Sequence, residues 1–279
     1  MITGKLVVRG LVAFVLSLAS LPAHAQQTAA PPSAAQPPAA QPPAAQQPFE
    51  PVTGQPGKDV IWVPTPQATV DAMLDLAKLT PKDHLIDLGS GNGITVITAA
   101  KRGATAHGVE FNPDMVELSR RLAKEAHVAE KATFSQGDLF QADLSKATVI
   151  TLFLLPDINR RLRPSLLELA PGTRVVSNTF DMGDWEADEK ADAKCTTSWC
   201  HALLWTVPAK AAGTWRLGSD TLLLTQKYQM LEGTLGAAPI SSGRLAGAEI
   251  TFTANGRTYK GRVDGDTIRG TDWSATKAK

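Results

Sequence analysis

Three things are scarce in this sequence, and each shortage removes a class of function. Charge imbalance is the first: 28 basic residues against 27 acidic ones leave +1 at neutral pH, with a pI near 7.8. No global field draws the chain to nucleic acid or to a strongly charged partner. Cysteine is the second, with Cys195 and Cys200 alone. Two thiols and the neighbouring His201 are too few ligands for a zinc site, so no metal is expected. Their spacing is also not the C-x-x-C of a redox enzyme. Long apolar runs are the third. The stretch from Gly10 to Leu21 falls short of the ~20 residues that cross a bilayer comfortably.

That stretch has a better reading. Lys5 and Arg9 precede or open it, Pro22 breaks it, and Ala23-His24-Ala25 follows with the small-x-small pattern that signal peptidase reads. Residues 1–25 are expected to be a signal peptide, cut after Ala25, that sends the chain to the periplasm or beyond. The alternative is an uncleaved segment that anchors it to the membrane; the mature chain is expected to hold no transmembrane helix. In an oxidising compartment Cys195 and Cys200 are expected to pair in a disulfide closing a small loop, with two reduced thiols as the other possibility. Residues 26–58 are mostly Ala, Pro and Gln, with Gln-Pro-Pro-Ala-Ala repeated. Such composition has too little apolar bulk to offset the entropy of ordering, and reads as a linker.

From residue 59 the pattern changes. Val70, Met73, Leu74, Leu76 and Ala77 recur at helical spacing. Short apolar strands then alternate with helices: His84–Leu88, helix Ile94–Arg102, Ala106–Glu110, helix Pro113–Ala126, Ala132–Phe134, Thr148–Leu154, helix Asn159–Leu169, Arg174–Ser177. Alternation of this kind builds βαβ units and a parallel sheet, so residues 59–205 are expected to form a doubly wound, mostly parallel α/β domain. Residues 206–279 carry only strand-like segments, with Asn255-Gly256 and Gly265-Asp266 as turns. They are expected to form a small antiparallel β-module, either a partial barrel or an added sheet.

Between the first strand and its helix lies Asp87-Leu88-Gly89-Ser90-Gly91-Asn92-Gly93. A nicotinamide or flavin fingerprint would place its third glycine one residue later, where Ile94 stands, and no Tyr-Lys or Ser-His constellation supports an oxidoreductase. Three acids sit in register with the loop. Asp87 ends the first strand, Glu110 the second, and Asp138 follows the third, all at the carboxyl edge where such sheets bind ligands. Each suits one part of S-adenosylmethionine. The glycines admit the methionine part, Asp87 faces the cationic amino and sulfonium end, and Glu110 accepts from both ribose hydroxyls. Asp138 accepts from the adenine amine, with Leu139 or Phe111 against the ring.

On these residues the chain resembles the class I seven-strand methyltransferases, whose fold is Rossmann-like. Within them it is most similar to the lysine N-methyltransferases that modify the ATP synthase c-subunit or adenine nucleotide translocase, related to the Dot1 histone lysine methyltransferases. The resemblance runs from about Val60 to Trp185. It is carried by Val63-Pro64-Thr65-Pro66, the Asp87–Gly93 loop, Gly108–Asn112, Gly137-Asp138-Leu139 and Leu155-Pro156, with the loop from Thr179-Phe180 to Asp184-Trp185 matching in position. It implies that Pro64 and Thr65 lie over the cofactor and that Leu155 borders a substrate channel. Phe153-Leu154-Leu155-Pro156 stands where Dot1-type enzymes carry asparagine and aromatic residues and where base or amide methyltransferases carry Asn-Pro-Pro-Tyr. Histone-type, nucleobase and glutamine activity are therefore not expected.

The expected reaction is transfer of methyl to a protein lysine or another amine. Trp62, Phe153, Leu155 and Phe180 are candidates to line the channel that strips water from the amine. No residue stands out as a general base, and His84, His107, His127 and His201 have no partner pattern. The competing reading is an exported binding or scaffold protein that keeps the fold without catalysis.

Overall fold

The computed structural model describes residues 49–278; the expected signal peptide and the linker up to residue 48 lie outside the described residues. Among the described residues no helix is long and apolar enough to cross a membrane.

Five strands, β1 (His84–Leu88), β2 (Thr105–Glu110), β3 (Ala132–Gln136), β4 (Val149–Leu152) and β5 (Arg174–Asn178), pair in parallel in the order 3-2-1-4-5. β4 and all of β1 after His84 are buried, because helices cover both faces of a parallel sheet. The connecting helices are α2 (Ile94–Lys101), α3 (Pro113–Glu125) and α4 (Pro156–Leu166), and α1 (Gln67–Leu76) precedes β1. Local signals set several starts. Asn112 caps α3 by accepting from the backbone N–H of Asp114 at 2.9 Å, with Pro113 at the first helical position. α4 likewise opens on Pro156, three residues before the start read from the sequence.

Two further strands complete this sheet, and neither is legible in the sequence pattern. β7 (His201–Thr206) runs antiparallel to β5, and β6 (Glu189–Asp192) forms the edge beyond it. The turn between them holds Cys195 and Cys200, which form a disulfide with their Cα atoms 5.9 Å apart. Because the chain leaves β1 toward β2 and returns through β4, the crevice at the carboxyl ends of β1 and β4 is the switch point of the sheet.

The C-terminal module is a closed barrel. β8 (Gly213–Leu217), β9 (Asp220–Lys227), β10 (Met230–Leu235), β12 (Ser241–Ala246), β13 (Glu249–Ala254), β14 (Arg257–Asp264), β15 (Thr267–Gly270) and β16 (Ser274–Lys277) pair antiparallel in succession, and β16 returns to β8. The two-residue β11 (Ala238–Pro239) hangs on β10. Closure leaves no free edge around the ring, which a partial barrel or added sheet would have exposed. Alternate residues fill the interior, with Trp215, Leu222, Phe252 and Ile268 among those fully buried.

Candidate active site

The glycine loop takes its shape from backbone that only glycine adopts easily. Gly93 caps α2 in the left-handed region (φ 77°), and a Cβ there would stand 2.7 Å from the Phe134 ring and 2.9 Å from Cβ of Ser119. The turn thereby brings Gly89, Ser90 and Gly91 to the end of β1. Glu110, at the tip of β2, fastens it. One carboxylate oxygen accepts from the backbone N–H of Gly91 at 2.9 Å and the other from that of Asn112 at 2.9 Å.

Asp87 is buried at the end of β1, and Oδ1 accepts from the hydroxyl of Thr151 on β4 at 2.7 Å. Burial raises its pKa, the Thr151 hydrogen bond opposes the rise, and the nearby Glu110 adds to it; the result is a carboxyl pushed up to about 7. Asp138 lies in a different setting. It accepts from the Lys58 ammonium at 2.7 Å and the Phe140 backbone N–H at 3.0 Å, and Lys58 foremost holds it below the usual carboxylate range. The same ammonium lies 5.4 Å from the centre of the Phe111 ring.

One cavity joins these groups. Thr65, Asp87, Gly89, Ser90, Gly91, Glu110, Phe111, Asp138 and Leu139 line it, as do Trp62, Phe153, Leu155 and Phe180. Two expected cofactor contacts do not: Gly93 is buried behind the loop as a helix cap, and Pro64 points to solvent. The cover comes from the preceding turn, where Trp62 and Gln55 bond through their backbones at 2.9 Å and residues 55–63 line the cavity. Trp62, expected in the acceptor channel, lines the cavity and packs against the glycine loop; a Cβ on Gly91 would lie 2.6 Å from its indole nitrogen.

The far end is aromatic. Phe153 follows β4, Phe180 follows β5, and Trp199 comes from the disulfide loop; ring centres are 6.1 Å apart for the two phenylalanines, and 5.9 and 5.5 Å from each to the tryptophan. Sequence reasoning missed Trp199, Lys58 and Thr151. Only Thr151 left a signal, as the lone hydroxyl inside an apolar strand. Among the described residues no cluster of His, Cys, Asp and Glu has the makings of a metal site. His107, left without a partner pattern by the sequence, bonds the hydroxyls of Thr133 and Ser135 at 2.8 Å each, and His201 pairs with Asp192.

These residues fit S-adenosylmethionine. The glycine loop leaves room for a ligand's chain, and the carboxyl of Asp87 lines the cavity beside it as an acceptor for a positively charged group. Known proteins agree with the geometry. The ANTKMT methyltransferase domain model matches residues 87–189. A protein-lysine N-methyltransferase of Saccharolobus islandicus is 41% identical over 133 residues, 47% of this chain and 83% of that protein. The chain belongs to this methyltransferase family. It is an S-adenosylmethionine-dependent enzyme, and the scaffold alternative gains nothing from its relatives. The adenine nucleotide translocase lysine N-methyltransferase of Mus musculus is 34% identical over 42% of this chain, which spans about half of that protein, 52%. The crystal structure of an RNA methyltransferase from Salinibacter ruber, in complex with S-adenosyl-L-homocysteine, is 50% identical at a TM-score of 0.50; the match covers 53% of this chain and 95% of that one.

Proposed function

We propose that the enzyme methylates the side-chain amine of a protein lysine, and that it works outside the cytoplasm. The observation that carries the first part is the aromatic end of the cavity. Phe153, Phe180 and Trp199 can receive a lysine ammonium on their rings and shield its alkyl chain from water, and the amine attacks in its neutral form once its proton has left to solvent. The cofactor supplies an activated methyl bound to a sulfonium, so the chain's task is orientation and exclusion of water. Gly91 and Glu110 would hold one end of the cofactor, Asp87 would face its positive end, and the aromatic rings would guide the amine toward the methyl. The new C–N bond takes the methyl as the C–S bond breaks, and the proton shed by the amine leaves to solvent. Export is supported by the pattern of residues 1–25 and by the Cys195–Cys200 disulfide, which suits an oxidising compartment.

The test is transfer of tritiated methyl into a cell-envelope extract, followed by acid hydrolysis and amino-acid analysis. Label in methyl-lysines, lost in Glu110→Ala, is the expected result. Label destroyed by ribonuclease would replace the lysine reading with the activity for which the Salinibacter protein is named. Amino-terminal sequencing of the protein from its host is expected to begin at Gln26; a chain that keeps residues 1–25 and stays inside the cell would reject export.

A further inference from the structure

The family model ends at residue 189, yet one wall of the cavity comes from beyond it. Trp199 sits in the short turn between β6 and β7, where Thr196, Thr197 and Ser198 are exposed and the Thr197 hydroxyl accepts from the Trp199 backbone N–H at 3.3 Å. Two devices hold the indole in place. The disulfide ties Cys195 to Cys200, immediately after Trp199, and the Ala193 N–H donates to the Cys200 carbonyl at 2.7 Å. From the other side Thr69 of α1, fully buried, donates its hydroxyl to the Trp199 carbonyl at 3.0 Å. So fixed, Trp199 is half-buried against Phe153 and Phe180 and lines the cavity.

We propose that Trp199 is a specificity-determining residue of the acceptor site, selecting an alkylammonium group, with the disulfide and Thr69 as its positioning residues. The inference rests on the amine-transfer reading and adds a wall that the shared domain lacks. An indole face attracts a cation more strongly than a phenyl face does. The attraction holds for a lysine ammonium and grows no weaker as methyl groups replace its protons, because the charge remains. A site of this kind draws the acceptor in and keeps a partly methylated product for a further round.

The test uses an alkylammonium that is no acceptor. Choline and its neutral isostere 3,3-dimethylbutan-1-ol are titrated by saturation-transfer NMR into the full-length, oxidised protein loaded with S-adenosylhomocysteine. Choline is expected to bind about tenfold tighter than the alcohol, the order of one cation–π contact. That preference is expected to vanish in Trp199→Ala, to persist in Trp199→Phe at reduced strength, and to shrink in Thr69→Val and in the double variant Cys195→Ser/Cys200→Ser. S-adenosylhomocysteine affinity, measured on each variant, reports whether it has folded. No preference in the wild type, or one untouched by Trp199→Ala in a variant that still binds S-adenosylhomocysteine, overturns the proposal. Because no methyl is transferred, a failure to find methyl-lysine in envelope extracts counts against the lysine reading and leaves this result standing.

Discussion

Asp87 carries the clearest consequence at the scale of a single residue. Its proton leaves near 3.8 in the unfolded chain and near 7 in the fold. The raised value means that its stabilising neutral form acts fully below about pH 4, weakens as pH rises, and is gone above about pH 7. A cationic ligand favours the ionised carboxylate. Binding of S-adenosylmethionine should therefore release a proton below pH 7, and affinity should fall about tenfold for each further unit of acidity. Calorimetry in two buffers of different ionisation enthalpy measures that release directly. Asp87→Asn should abolish it and weaken binding at pH 8, while ligand-free stability at that pH stays level or rises because a buried charge is gone. An unchanged proton release in the variant would assign the titration to another group. The sequence placed this carboxylate at the strand end; it did not show the burial that raises it, since that comes from neighbours far along the chain.

Elements were legible in proportion to how strongly one periodicity was imposed on them. β1 is a short, largely apolar run that leads into the glycine loop, β4 is an apolar run buried throughout, and α3 carries both its cap and its stripe. β6 is Glu-Lys-Ala-Asp with no buried residue, an edge strand that is a strand only because β7 offers it hydrogen bonds. β7 is a short apolar run after a disulfide loop, and length alone does not separate such a run from a helix fragment. At this scale Gly93 is decisive for the loop that joins β1 to α2. Gly93→Ala must place a Cβ into Phe134 and Ser119 in a left-handed backbone, and should cost about 2–4 kcal/mol, combining strain with overpacking. Urea unfolding measures it. A loss under 1 kcal/mol would mean that the loop shifts freely and that its shape is not set by this contact.

At the scale of the whole molecule, the barrel docks through the turn between β9 and β10. Tyr228 stacks on Trp185 with ring centres 5.9 Å apart and donates its hydroxyl to Asp184 at 2.9 Å; Lys227 and Arg163 bind the same carboxylate. These partners, Lys227 first, hold Asp184 far below the usual carboxylate range. A depressed value stabilises at high pH and is lost only as pH falls through it, so docking should survive well below pH 4. Beside it Gln229 donates to the Glu186 carbonyl at 2.9 Å, and Arg244 pairs with Asp188 at 2.5 Å. Tyr228→Ala should destabilise by about 1–3 kcal/mol in thermal unfolding while S-adenosylhomocysteine affinity stays within twofold, because the seam lies outside the cavity. A large fall in affinity would show that the barrel acts on the site.

By itself the sequence determined what short-range chemistry determines. A glycine turn between an apolar strand and a helix, with an acid at each neighbouring strand end, specifies a cofactor crevice, because strand order brings those ends together in any doubly wound sheet. Asn255-Gly256 specified a hairpin in the same local way. What only the tertiary structure decided depends on residues distant in the chain. Lys58 reaches Asp138 across 80 positions and Thr69 reaches Trp199 across 130, and the barrel closes where β16 meets β8. No periodicity encodes such contacts. They arise when buried faces are packed together, and this packing set the cover of the cavity and its aromatic wall.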